Sequence, residues 1–312
     1  MNCPICRKPA SKIITRELRK GEKKKVFFCS RCELGILDSH QSAAELKQFY
    51  AKDYRRKPGL TSQSDSKELF ATFSQYQDGR LKLLAPYLQP KTKLLEVGCS
   101  AGMFLYHAQK RVGEITGIDF DLASAKYAAK KIGCPIYTTD IAETPLPKKH
   151  FDLIVGFQML EHVKNPVEYI AKLKEYLAPG GTLAIEVPNL YDALAHIYDL
   201  PNHYKFFYHD AHLWYFTEKS LTKLMNRSGL SGKVHHQQDY NLLNHFHWID
   251  TDQPDPQSFI RLGSPKLPLR PKSPTKIKKG LTDFIERTDQ EYKKLLSDLG
   301  ITSNIMFIGR AK

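Results

Sequence analysis

No stretch of this 312-residue chain approaches the roughly 20 consecutive apolar residues that a membrane span requires. The opening segment, MNCPICRKPA, has no apolar run of the kind a secretory signal carries, so a cytoplasmic location is expected, where thiols stay reduced. Cysteine is scarce, six in all, which argues against a disulfide framework. There is no internal repeat. Acidic residues are outnumbered 33 to 47, leaving a net charge of +14. That excess is uneven: residues 1–60 carry 15 Lys and Arg against 6 acids, and residues 261–281 carry 7 against none. Basic ends suit an anionic partner such as a phosphorylated sugar, a lipid head group or nucleic acid, and equally suit solvated loops.

The hydrophobic content, 41%, is that of a globular chain, and the length accommodates one sizeable domain with appendages. Four of the six cysteines fall in two C-x-x-C pairs, Cys3/Cys6 and Cys29/Cys32, with 22 residues between the pairs. Two such turns bring four thiolates to one tetrahedral ion, with no position left for water. Strands are expected at Ile13–Thr15 and Val26–Phe28, joined by the charged turn Arg19–Lys25. The arrangement resembles a zinc ribbon, which implies structural zinc. Forty residues bury little core, so metal would supply most of the folding energy there.

The chain is organised around LLEVGCSAG, residues 94–102, and Asp119 in ITGIDFD. A buried strand stops at Gly98, a tight turn follows, and Gly102 opens a helix. Such a turn exposes bare backbone and unpaired N–H groups to a ligand. Asp119 lies 21 residues after Gly98, the distance at which a carboxylate on the next strand end meets ribose hydroxyls. The glycines do not fit G-x-G-x-x-G, so the dinucleotide fingerprint is excluded. The spacing is similar to motif I of class I S-adenosylmethionine (SAM) dependent methyltransferases, with Glu96 as its acid and Ser100 in place of the middle glycine. FDLIVGFQMLEHVKNP and LKEYLAPGGTLAIEVPN resemble the fourth and fifth strand segments of the same family, and the likeness covers about residues 76–240 and the last strand.

Strands alternating with helices from Lys93 onward give an α/β fold. The expected architecture is a Rossmann-like, seven-stranded doubly wound sheet, six strands parallel and one antiparallel, with the ribbon at its N-terminal side. The expected division is a zinc ribbon over 1–40, a helical linker and cofactor lid over 41–80, and the SAM-binding domain over 81–240. An insertion over 241–302 and the last strand over 303–312 complete it. Helices are expected at Ala43–Tyr50, capped by Ser42, and at Ser66–Tyr87, with a linker containing Pro58-Gly59 over residues 51–67. Pro179-Gly180-Gly181 is expected to end a helix through a left-handed cap. Helix Leu281–Leu299 is expected to pack through Phe284, Ile285, Tyr292, Leu295 and Leu296.

The resemblance implies cofactor roles position by position. Gly98, Ser100 and Gly102 would let the methionine and ribose parts approach, and Asp119 would take the ribose hydroxyls. Phe120 would lie beside the adenine, with Asp140 and Ile141 at its amino edge. Phe157 and Gln158 would meet the methionyl group, and Arg80 the methionine carboxylate. For a base, His212 is preferred and His162 comes second, with a structural histidine as the competing reading for each. His209, Tyr191 and His203 stand behind them. Quinone-pathway O-methyltransferases carry a further Glu three residues before the Glu of their Glu-His pair. Gln158 holds that position here, so the likeness does not extend to their metal-assisted catechol reaction.

Three functions are compatible. The first is methyl transfer to a small-molecule acceptor, such as a sugar-nucleotide, polyketide or lipid-linked intermediate. A ribbon before a SAM fold is partly similar to the sugar C-methyltransferases. The second is an RNA methyltransferase using the ribbon and the basic surface, although the Asn/Asp-Pro-Pro-Tyr type signature of base-amino methylation is absent. The third is a SAM-fold binding protein without catalysis.

Overall fold

A computed structural model describes residues 1–39, 45 and 65–312. The helix expected over Ala43–Tyr50 and most of the linker after it lie outside the described residues. In chain order the strands are β1 (Lys12–Thr15), β2 (Val26–Cys29), β3 (Leu34–Leu37), β4 (Lys93–Val97), β5 (Glu114–Ile118) and β6 (Ile136–Tyr137). They continue with β7 (Phe151–Phe157), β8 (Leu177–Pro188), β9 (Trp214–Tyr215), β10 (Leu230–Gln237) and β11 (Asn304–Ala311).

Seven of them form one sheet in the order β10-β11-β8-β7-β4-β5-β6. Only β11 runs against the rest, pairing antiparallel with β10 and with β8. This is the expected arrangement of six parallel strands and one antiparallel. The apolar runs of β4, β7 and β8 are buried at Leu94, Leu95, Leu153, Val155, Leu183 and Val187. A parallel sheet covered by helices on both faces demands such near-continuous runs. Helix termini follow local chemistry. Asp121 caps Leu122–Ile132 by accepting from the N–H groups of Ala123 and Ser124, and Gly133 ends it at φ 79°. Thr217 and Ser220 form a capping box for Glu218–Arg227.

The ribbon packs into the large domain. Its sheet has four strands, β1-β2-β3-β9, because Gly35 and Ile36 pair with Tyr215 and Trp214. Cys3, Cys29, Cys32, Leu34 and Ile36 belong to the same buried cluster as Leu173, Phe216 and Leu221. Thr217 donates to the Glu33 carbonyl (3.0 Å) and Lys223 to the Arg31 carbonyl (2.6 Å), seating the second cysteine turn on the helix Glu218–Arg227.

Several local expectations are corrected. The helix expected over Ser66–Tyr87 is broken into Ser66–Phe73 and Asp78–Leu84, with single tight turns at Ser74–Tyr76 and Ala85–Tyr87. At the break the Gln77 side chain donates to the Phe73 carbonyl (3.0 Å), and the His107 ring bonds the Ser74 carbonyl (2.7 Å). Side chains thus satisfy groups that a continuous helix would have paired. The helix Pro166–Tyr176 ends with Leu177 already extended, so Gly180 is not its cap; it takes φ 77° within β8. The C-terminal helix runs Thr275–Asp298 and buries Ile285, Asp289 and Leu296, while Phe284 and Leu295 stay exposed. Residues 189–216 contain two short helices, Ala193–His196 and Pro201–Phe207, and a further helix covers Leu242–Thr251. Much of that segment's aromatic content is packing: Tyr208 and Tyr215 are buried with Leu18, Val26 and Leu37 of the ribbon.

Candidate active site

A large cavity, roughly 2050 Å³, opens at the C-terminal ends of β4, β5 and β7. Ligands of open α/β sheets bind at this end, where the strand order reverses. The reversal lies at β4, which has β5 on one side and β7 on the other, both parallel to it, so that the strand order proceeds outward on each side.

The first wall comes from the turn after β4. Gly98 takes φ 73° and Ser100 φ 48°, so the backbone curls back at the strand end. The Ser100 N–H donates to Asp119 Oδ2 (2.6 Å) and the Asp121 N–H to Asp119 Oδ1 (2.8 Å). Two backbone donors thus fix the carboxylate at the tip of β5. Glu96 is buried, and its Oε2 has no hydrogen-bond partner among the described residues. Burial, opposed by Arg80 and reinforced by Asp119, pushes its carboxyl well above the usual range. Asp140 holds its loop by accepting from the Ala142 N–H (2.9 Å). Ile141 is buried, and its carbonyl accepts from Tyr176 (2.8 Å). Glu96, Gly98, Ser100, Asp119, Phe120, Asp140 and Ile141 all line the cavity. Gly102 does not: at φ 81° its bare Cα faces Ile132 and Ala128 of the neighbouring helix.

The second wall is a polar network under Arg80. Its guanidinium donates to both Glu186 oxygens (3.1 and 2.5 Å) and to Gln77 (3.2 Å), and lies 4.4 Å from the centre of the Phe157 ring. Gln158, at φ 52°, donates through Nε2 to Glu186 and to Asn304 (both 3.1 Å). Phe157 packs edge-on against Phe104 at 4.9 Å.

The third wall is rich in histidine. His162 Nδ1 lies 2.7 Å from the Ala211 carbonyl. The Nε2 atoms of His162 and His212 lie 3.6 and 3.8 Å from Glu161 Oε1. Burial lowers His162 to about 4 and carries His212 well below the usual imidazole range, helped by His209 and His162. Burial raises Glu161 to about 8. His209 stacks on His212 at 3.7 Å, and His203 meets Trp248 edge-on at 4.4 Å. Tyr191, by contrast, is exposed.

A family model described as a methyltransferase domain matches residues 70–236, more than half of the chain. The chain belongs to the class I SAM-dependent methyltransferases. This methyltransferase is 29% identical over 97 residues to a probable S-adenosylmethionine-dependent methyltransferase of Mycolicibacterium smegmatis, covering 31% of this chain and 38% of that one. It is 31% identical over 120 residues to a tRNA U34 carboxymethyltransferase of Pseudoalteromonas translucida, covering 35% and 36%. It is 33% identical over 107 residues to a ubiquinone biosynthesis O-methyltransferase of Histophilus somni, covering 31% and 45%. The chain therefore spans less than half the length of these curated relatives. A SAM-dependent methyltransferase structure from Archaeoglobus fulgidus superposes with a TM-score of 0.51 at 18% identity, over 78% of this chain and 96% of that one, which shows the fold alone.

In this methyltransferase, Glu186, Asp239 and Asn304 join the polar network beside the cavity without having been singled out as site residues from sequence. Asn304 donates to Asp239 (2.6 Å), and Glu186 is almost wholly buried. The available signal was a charge inside an apolar strand run, LAIEV. A carboxylate there needs a partner or a ligand.

Away from the cavity, the four cysteines converge. Their sulfurs all lie within 4.8 Å of one another, and Cys6 and Cys29 are 3.6 Å apart. The two turns repeat one geometry: the N–H after each second cysteine, at Arg7 and Glu33, donates to the carbonyl of the first (2.8 and 2.7 Å). Both of those residues take a left-handed conformation, φ 59° and 60°. Four thiols gathered with no disulfide among them are a donor set suited to zinc.

Proposed function

We propose that this methyltransferase moves the methyl group of SAM to a small-molecule acceptor, and that Cys3, Cys6, Cys29 and Cys32 hold one structural zinc. One observation carries the reading. The cavity is continuous from the carboxylates of Glu96, Asp119 and Asp140 to the imidazoles of His162 and His212. Its volume exceeds the roughly 300–1,000 Å³ of a pocket built for one small ligand, which leaves room for cofactor and acceptor together.

SAM supplies an electrophilic methyl on a sulfonium. The residues around the cavity hold and aim it. Asp119, already oriented by two N–H groups, accepts from the ribose hydroxyls. Phe120 and Ile141 flank the adenine, and Asp140 accepts at its amino edge. Gly98, Ser100, Phe157 and Gln158 contact the methionyl part. Arg80 meets the methionine carboxylate by sharing its donors between that group and Glu186. The buried, unpartnered Oε2 of Glu96 is a group that a bound ligand would satisfy. The acceptor enters beside His162 and His212, and the walls around it suit a bulky sugar-nucleotide, polyketide or lipid-linked intermediate.

Calorimetry of the purified chain with SAM tests the reading, together with one zinc per chain by elemental analysis. A folded sample without SAM affinity overturns it. The excess of basic residues over 261–281 favours a second reading, an RNA acceptor. Steep loss of RNA binding with added salt, accompanied by methylation of that RNA, would replace the first reading with the second.

A further inference from the structure

We propose that Glu161, His162 and His212 form a second metal site, holding a divalent first-row transition ion whose remaining coordination position takes an oxygen donor of the acceptor. The part played by the acceptor rests on the methyl-transfer reading above; the metal site itself does not.

One buried carboxyl group has no hydrogen-bond donor among the described residues. Glu161 is fully buried in the tight turn Leu160–His162, and both of its oxygens lack hydrogen-bond partners among the described residues. A buried acceptor left so is costly unless something positive completes it. The two rings that approach it, at 3.6 and 3.8 Å, are too far away to be hydrogen-bond donors.

The tautomer of His162 sharpens this. The Ala211 carbonyl can only accept, so the proton of the neutral ring sits on Nδ1 and the lone pair on Nε2, the nitrogen turned toward Glu161. A lone pair therefore faces a carboxylate oxygen, and the second imidazole approaches the same oxygen. A single proton would satisfy one such contact. An ion placed among the three donor atoms meets both contacts at once.

The dimensions agree. Nitrogen and oxygen ligands at 2.0–2.1 Å around a tetrahedral ion lie about 3.3 Å apart. The observed separations from Glu161 exceed that by a few tenths of an ångström, and all three donor atoms lie within 4.8 Å of one another. The Ala211 carbonyl on Nδ1 is the kind of outer partner that orients a ligating histidine. Two imidazoles and a carboxylate suit zinc, iron, cobalt or nickel, in contrast to the all-sulfur ribbon. Gln158 is not part of the set, since its amide is committed to Glu186 and Asn304. His212 comes instead from the segment after β8. Both histidines line the cavity, so a donor from the acceptor reaches the ion from that side.

Cobalt(II) is the probe. The full chain, with its ribbon zinc retained, is dialysed against a mild chelator and titrated with cobalt(II) while absorption is recorded. The expected result is uptake of one equivalent with a nitrogen–oxygen spectrum lacking thiolate charge-transfer bands. Glu161→Gln, which keeps shape, and His212→Ala should each weaken that uptake at least about tenfold. Ribbon zinc content and SAM affinity, measured on the same samples, establish that the variants are folded. Failure of a SAM-binding wild-type chain to take up cobalt, or equal affinity in both variants, overturns the metal site and leaves the methyl-transfer reading intact. Cobalt uptake by a chain that fails to bind SAM supports the site and overturns that reading.

Discussion

Arg80 and Glu186 face each other across the cavity floor, the guanidinium clamping a carboxylate that lies 106 residues further along the chain. Glu186 is almost wholly buried, and Gln158 and Gln237 donate to it as well (3.1 and 3.2 Å). Arg80→Ala is expected to cost about 2–3 kcal/mol of stability, because it strands a buried charge that the two amides only partly compensate. The double variant Arg80→Ala/Glu186→Gln should recover part of that loss. Urea denaturation of the wild type, Arg80→Ala, Glu186→Gln and the double variant checks the coupling, and an additive result would show that the pair does not act as a unit.

Asp119→Ala should weaken SAM binding at least about tenfold, the loss of a charged hydrogen bond. The fold should survive, since the aspartate's partners are backbone N–H groups at a cavity edge. Calorimetry beside circular dichroism reads both, and unchanged affinity would remove Asp119 from the ribose role.

Gly102→Ala tests packing. An added Cβ would lie 2.4 Å from Ile132 Cδ1 and 3.0 Å from Ala128 Cβ, at φ 81°. A loss of about 2–3 kcal/mol is expected, combining left-handed strain and overpacking. A further Ile132→Ala change should relieve the clash and leave the backbone cost, so that Gly102→Ala is less damaging in that background. Equal cost in both backgrounds would place the whole effect in the backbone.

Removing ribbon metal should loosen more than the N-terminus. β3 hydrogen-bonds to Trp214 and Tyr215, two residues beyond His212. Chelation strong enough to strip the thiolates, or Cys29→Ser, should raise amide hydrogen exchange at 214–215 as well as at 26–37. Exchange confined to residues before 40 would show that the two sheets are independent.

Acid should destabilise the protein between pH 6.5 and 4. Burial lowers His196 and His245 to about 4 and His203 to about 3, from an ordinary 6.5. A depressed imidazole contributes stability that is complete above 6.5 and lost as pH falls through its folded value. Burial raises Asp192 to about 6 from 3.8, so its contribution has the opposite sign: present at low pH and lost as pH rises through 6. Burial also raises Asp239 to about 6, Glu161 to about 8 and Glu96 well above the usual range, while it lowers His162 and His212 as well, so five buried histidines stand against four buried carboxyls. The melting temperature should therefore fall on acidification, and His203→Phe should flatten the profile.

The large sheet was legible because buried parallel strands read as uninterrupted apolar runs, and Gly98 and Asp119 mark where two of them end. The cysteine turns were legible from spacing alone. The broken helix at Ser74–Gln77 was not, since its break depends on His107, a partner 33 residues away. The face of the helix Thr275–Asp298 was legible in part: Ile285 and Leu296 turn inward as expected, whereas Phe284 and Leu295 stay exposed and Asp289 takes a buried place, which defeats a count of apolar residues. Within the site, the motif positions could be named from sequence, whereas Glu186 and Glu161 could not be given partners. Both are ordinary acids until the fold removes their water.

The last glycine of the motif has a consequence for recognising relatives of this chain. Because a Cβ at Gly102 would meet a neighbouring helix rather than the cavity, its presence reports on packing of the scaffold. A paralogue that had given up methyl transfer would still need it to fold, while Glu96 and Asp119 would be released to drift. On the cofactor roles proposed above, retention of those two acids, rather than of the glycine, would separate a working enzyme from a descendant that keeps only the shape.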